Sequence, residues 1–180
     1  MNYSPQEIIE TIRMVQAEHL DIRTVTMGIS LIDCADADAD ALCRKVYAKI
    51  MTRAERLVPV CETIEKELGI PIVHKRISVT PVALLAAGVP ADGFVNLARM
   101  LDRAAAATGV NFIGGFSALV HKGFSRGDAD LIAAIPEALA ATAKVCASVN
   151  LATTQAGINM DACAMMGRII KRTAELTAAA

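Results

Sequence analysis

The residues able to do chemistry cluster in three short segments. Arg76 and Ser78 alternate along IPIVHKRISVTP, Gly114, Gly115 and Ser117 fall in NFIGGFSALVHKG, and Ser148 and Asn150 fall in VCASVNLATT. A guanidinium grips a carboxylate through two parallel N–H···O bonds. The paired glycines Gly114-Gly115 remove Cβ atoms and let a backbone approach a ligand. A helical turn beginning near Ser117 would aim its free N–H groups and dipole at the same gap. His121 and Lys122 follow one turn later, the first a candidate general acid or base and the second a cation. The chemistry these types point to is recognition of a small anionic, carboxylate-type metabolite. The ligand-binding candidates are Arg76, Ser78, Gly114, Gly115, Ser117, Lys122, Ser148, Asn150 and Asn159. His121 and Cys34 are the catalytic candidates. No metal site and no cofactor are expected.

Each candidate has a plainer reading. Arg76 would serve equally in an ion pair with Asp33 or Asp161, and the two readings weigh about the same. A lone His beside a Lys is more often a surface residue. Gly114-Gly115 would also suit a tight turn, and Asn150, Asn159 and Asp161 would suit turns and caps. Cys34 and Cys146 read first as structural thiols. His74 and His19 have no partner at metal-ligand spacing and receive no role.

The elements that must position these residues follow from periodicity. Ser4-Pro5-Gln6-Glu7 opens a helix running to about Glu18. Ile22 to Ile32 alternates, with Val25, Met27, Ile29 and Leu31 on one face and Thr24, Thr26, Gly28 and Ser30 on the other. That second face is small and polar, with none of the Lys and Glu of a solvated surface, and suits a cavity. Residues 36–68 carry a helical stripe that Pro59 kinks or splits and Gly69 ends. Asp36, Asp38 and Asp40 lack the Gly and Glu of a calcium loop and read as helix-start acids. A second strand spans Ile70 to Val79, with His74, Arg76 and Ser78 on one face. A short helix, Val82 to Ala87, is followed by a longer one capped by Asp92 and stopped by Gly109. The third strand, Val110 to Ile113, is expected to end at the glycine pair. Gly127-Asp128 opens a helix to about Ala143 with a possible break at Pro136. Lys144 to Ala152 is the fourth strand, Thr153 to Gly157 a polar loop, and Asn159 or Asp161 caps the last helix.

Strand and helix alternate with connections long enough for parallel crossovers. The expected fold is one α/β domain over residues 1–180 with a mainly parallel sheet and crossover helices. Ligands in such sheets bind beyond the strands' carboxyl ends. Those ends, Asp33-Cys34, Arg76-Ser78-Thr80, Gly114-Gly115-Ser117 and Ser148-Asn150-Thr153, all carry polar or glycine residues.

Composition narrows the function classes. The 180 residues hold 18 Lys plus Arg against 19 Asp plus Glu, for a net charge of −1. That balance gives no support for nucleic-acid or anionic-membrane partners. Aromatics are only 3% and Trp is absent, which argues against base stacking. The apolar share, 54%, exceeds the usual range of roughly 45–50% and suggests surface buried against something outside the chain. Five cysteines form no C-x-x-C pair and no disulfide framework, so reduced thiols and a cytoplasmic location are expected. The opening residues carry no signal-peptide core, and no apolar run nears the ~20 residues that span a bilayer.

Four blocks, DIRTVTMGISLIDC, KRISVTP, NFIGGFSALVHKG and SVNLATTQAGINMDA, resemble those of uncharacterised protein family 0210 (domain-of-unknown-function family 711). The resemblance spans about Ile8 to Arg172. It implies part of a ten-stranded α/β barrel like that of pyruvate formate-lyase and other glycyl radical enzymes. It also implies that this chain is the N-terminal part of a longer one, needing a missing C-terminal half or working as a homo-oligomer. Glycyl radical chemistry would require a barrel cysteine, for which Cys34 and Cys146 are candidates. The family's association with an ACT-domain protein implies a possible amino-acid-linked partner. Two functions are thus expected in parallel. One is an enzyme or enzyme fragment acting on a small carboxylate in a barrel site. The other is a non-catalytic sensor or binding module working with an ACT-domain partner.

Overall fold

A computed structural model describes residues 4–18, 21–86 and 88–178. His19 and Ala87 lie outside the described residues. The chain begins with α1 (Pro5–Gln16), whose Ser4 and Glu7 form a reciprocal capping box, then β1 (Ile22–Ile29). α2 (Ala39–Ala54) and α3 (Leu57–Leu68) follow, then β2 (Ile72–Val79), the short α4 (Val82–Leu85) and α5 (Ala91–Thr108). β3 (Phe112–Leu119), α6 (Arg126–Ala140) and β4 (Val145–Asn150) complete the main pattern. A two-residue ladder, β5 (Ala152–Thr153) against β6 (Gly157–Ile158), precedes α7 (Met160–Thr177).

The four long strands form one parallel sheet in the order β1-β2-β3-β4. This is the mixed α/β architecture with a parallel sheet that strand–helix alternation predicts. Helices cover one face. Ile77, Ile113, Phe116 and Ala118 lie there at no more than 1% exposure, packed with Val46, Leu97, Leu101, Leu131 and Ile132 from the helices. Removing that apolar area from water is the main stabilising term. On the opposite face Thr24, Thr26, Ser78, Cys146, Ser148 and Asn150 are exposed.

Several boundaries differ from expectation, each for a local reason. β1 ends at Ile29, and Ile32–Cys34 turns as a short 3₁₀ segment. The split of the long helical stripe falls at Glu55-Arg56, while Pro59 sits in the first turn of α3, where its missing N–H breaks no intrahelical bond. Pro136 lies inside an unbroken α6, whose cap is Ser125 rather than Gly127-Asp128; Asp128 closes that capping box. Asp92 is not the cap of α5 but its second residue, behind Pro90. Asp38 caps α2, and Asp36 pairs with Lys45, so the acidic triplet is a helix start.

The largest correction concerns β3. The glycine pair does not end the strand, and no helix starts at Ser117. The strand runs on to Leu119, and the next helix waits until Arg126. Gly115 has φ 117° and forms a bulge, where the β3–β4 register shifts between Gly114 and Phe116. The extra residue swaps the faces. Gly114 is on the open face, and Phe116, two positions later, is on the helix face.

Candidate functional site

The parallel register builds two level rungs on the open face. Thr26 pairs with Arg76, and Arg76 with Phe112. One step along, Gly28 pairs with Ser78, Ser78 with Gly114, and Gly114 with Cys146. Thr26, Arg76, Ser78, Phe112, Gly114 and Cys146 line a cleft of about 340 Å³ over these rungs. Gly114 keeps the floor low: a Cβ there would meet only the Ile77 carbonyl oxygen, at 4.0 Å.

Arg76 is the charged centre of this cleft. Its guanidinium carbon lies 5.3 Å from the centroid of the Phe112 ring, a cation–π distance. Its Nε is buried without a hydrogen-bond partner. Neither acid considered as its ion-pair partner takes it: Asp33 pairs with Lys49, and Asp161 opens onto a different cleft. The strand residues of the open face include no Asp or Glu. A guanidinium on such a face retains its capacity for a carboxylate or phosphate oxygen.

The other predicted residues are distributed along the same side of the molecule rather than gathered at Arg76. Ser117 and Ser148 pair beyond the bulge, as do Leu119 and Asn150. Ser117 is 7% exposed and its hydroxyl donates to the Gly115 carbonyl, 3.3 Å away. Asn150 accepts from the Ala152 N–H through its side chain. The Gly115 position is filled, because an added Cβ would stand 2.6 Å from the Val79 carbonyl oxygen. Its close approach is therefore to β2, not to a ligand.

His121, Lys122 and Asn159 sit together elsewhere, with Asp161 and Phe124, around a shallow cleft of about 520 Å³ past the end of β3. Asn159 is fully engaged there. Its amide nitrogen donates to the Val120 carbonyl (2.7 Å), and its oxygen accepts from the Ala162 N–H (3.1 Å), capping α7. The His121 Nδ1 is buried without a partner. Cys34 lies in the turn after β1, outside both clefts. Burial pushes its thiol pKa up, with the Asp33 charge adding to the effect, so the nucleophilic thiolate is disfavoured. Among the described residues, no group of three or more His, Cys, Asp or Glu could hold a metal ion.

The sequence profile of the family described as "Uncharacterised ACR (DUF711)" matches residues 13–180. The chain belongs to the DUF711 family. Three similar relatives carry the name UPF0210 protein. One from Desulforudis audaxviator is 63% identical over 172 residues, covering 96% of this chain and 38% of that protein. One from Pelotomaculum thermopropionicum is 64% identical over 173 residues, with 96% and 38% covered. One from Methanosarcina mazei is 58% identical over 177 residues, with 98% and 39% covered. This DUF711 chain thus spans under two fifths of the length of the curated relatives it matches. None of its described helices is long and apolar enough to cross a membrane.

Phe112 lines the cleft, and His74 packs edge-on against its ring, outside the lining. Neither is a site candidate from the sequence, where Phe112 falls in an apolar strand run and His74 has no partner at metal-ligand spacing. The signal was present in the alternation that puts His74, Arg76 and Ser78 on one face.

Proposed function

We propose that this chain supplies the anion-binding wall of a small-molecule site, with Arg76 holding a carboxylate of the ligand. On this reading the open face looks into the interior of a larger α/β barrel of the pyruvate formate-lyase type. Its remaining strands would come from a longer family chain or from a second copy. The function is that of an enzyme, or part of one, acting on a small carboxylate. The observation that carries the reading is Arg76 itself: a guanidinium without an acidic partner, on a face whose strands bear no carboxylate. The neutral, small lining of Thr26, Ser78 and Gly114 supports it, since these residues leave room and hydrogen-bonding groups without repelling an anion.

Calorimetric titration with acetate and inorganic phosphate, for the parent and Arg76→Leu, tests the reading. Loss of a charge-assisted hydrogen bond, about 1.5–3 kcal/mol, corresponds to roughly 10- to 150-fold weaker binding. A Leu variant that binds both anions as the parent does would overturn it.

A further inference from the structure

His74 and Arg76 occupy alternate positions of β2 and flank the same ring. The His74 imidazole meets Phe112 edge-on with centroids 5.5 Å apart, and the Arg76 guanidinium lies 5.3 Å from that centroid. Each buries one nitrogen with no hydrogen-bond partner, Nδ1 of His74 and Nε of Arg76. Two orphaned nitrogens around one aromatic ring are unusual, because buried polar atoms in folded chains nearly always find partners. Both side chains are only part-buried, so Nε2 of the imidazole and the two Nη groups of the guanidinium remain to meet a ligand. The open face thus presents two donors on β2, both beside one apolar ring on the neighbouring β3, where Phe112 is level with Arg76.

We infer that the ligand of this face is a dicarboxylate. One carboxylate sits on Arg76, its methylene chain crosses Phe112, and the second carboxylate accepts from His74. This deepens the proposed anion site and rests on that reading. The reach is sufficient. The His74 ring lies 5.5 Å and the Arg76 guanidinium 5.3 Å from the Phe112 centroid, so the two groups are at most about 11 Å apart. A four- or five-carbon dicarboxylate, roughly 6–7 Å from end to end, with a hydrogen bond of ~2.8 Å at each end, spans about that distance. The pattern also selects against the alternatives. A monocarboxylate leaves His74 without an acceptor, and a compact phosphate cannot reach both donors across the ring. Nearby charge does not compete for either donor. Lys75 points to the helix side, where it pairs with Glu65 at 3.0 Å, and Thr24, the neighbour of His74 on β1, is neutral.

The test compares succinate with butyrate, which has the same chain length and one carboxylate fewer, by calorimetric titration of the whole chain. The parent should bind succinate roughly 10- to 100-fold more tightly than butyrate, the scale of one hydrogen bond to a charged group. His74→Ala should bring succinate to the level of butyrate and leave butyrate unchanged, and His74→Gln, which keeps an N–H donor, should recover part of the difference. Thermal melts establish that each variant folds. If His74→Ala does not fold, the ring-proton shifts of Phe112 in the parent decide: a shift on succinate larger than that on butyrate supports the inference, and equal shifts overturn it. An unchanged succinate-to-butyrate ratio in folded His74→Ala overturns the inference while leaving Arg76 as an anion site. An Arg76→Leu variant that binds butyrate as the parent does overturns the underlying reading instead.

Discussion

On β2, Ile77 is 1% exposed beneath the helix layer, while Arg76 and Ser78 on either side of it face the other way. The same alternation holds on β4, where Val145 is buried and Cys146 and Ser148 are exposed. One face of the sheet is packed with Ile, Val, Phe and Leu. The other carries chiefly Thr, Ser, Gly and Cys, with Asn150, the rings of His74 and Phe112, and a single guanidinium. A parallel sheet ordinarily buries both faces, so its strands read as continuous apolar runs. Here the strands alternate instead. Packing thus falls to one set of residues and the anion binding proposed above to the set interleaved with it, and a substitution should disturb one with little effect on the other.

The sharpest way to break that separation is at Gly115, the one position where both faces depend on the same residue. Gly115→Val places a side chain at φ 117°, against the Val79 carbonyl and Cγ2. Backbone strain of about 1–3 kcal/mol and overpacking of about 1–3 kcal/mol add to one another. Loss of cooperative unfolding in urea is the expected result. A variant with a parental midpoint would show that the bulge is dispensable.

On the helix face, Phe116→Ala should cost about 3–5 kcal/mol, because Phe116 is fully buried and stacks edge-on with Phe94 at 6.5 Å. On the open face, Ser78→Ala should stay within about 0.5 kcal/mol of the parent, since the hydroxyl is exposed and has no bonded partner. Urea midpoints for the pair measure the contrast directly. Similar losses for both would mean that the open face also carries the fold.

The smallest expected effect is a pH dependence on the helix side. Glu65 accepts from the Ile72 N–H at 2.6 Å and pairs with Lys75, and these contacts, the backbone one foremost, hold its carboxyl below the ordinary value of 4.5. A lowered folded-state pKa means that the unfolded chain binds more protons as the pH falls through this range. The contact's stabilisation is present above about 4.5 and is lost as the pH drops through the lowered value. Glu65→Gln should therefore flatten the fall in urea midpoint between roughly pH 5 and 3. An identical slope in parent and variant would assign the acid sensitivity to other carboxylates.

The helix ends and strand cores were largely legible because their signals are local. The Ser4 capping box, the left-handed caps Gly69 and Gly109, and the alternation in β1 and β2 each follow from a few adjacent residues. β3 was not legible past Gly114, because its pattern changes phase at the bulge, and Gly-Gly read as a stop. The alternation of the second strand puts Arg76 and Ser78 on one face, where the structure has them. Their separation from His121, Lys122 and Asn159 was not visible, because reasoning from strand ends collects every polar terminus into one site. The register sets Arg76 level with the first residue of β3, well short of its end. The alternation of β2 places His74 on the face of Arg76, but the contacts of both with Phe112 cross between neighbouring strands, which no single segment displays.

The bulge has a bearing on how this chain tolerates change in length. A straight alternation from Phe112 would put Phe116 and Ala118 on the cleft side and Ser117 and Leu119 under the helices; the one extra residue, Gly115, reverses this. Deleting Gly115 would leave Phe116 directly after Gly114 and keep every later residue on its present face, with the bulge gone. Adding a residue beyond the bulge, between Phe116 and Ser117, would instead turn the rest of the strand inside out, driving Ser117 and Leu119 under the helices and Ala118 to the cleft side. Most loops of this chain should accept such edits. Within this strand an added residue exchanges lining for filling, so the count of residues beyond Gly115 matters as much to the cleft as any side chain on it.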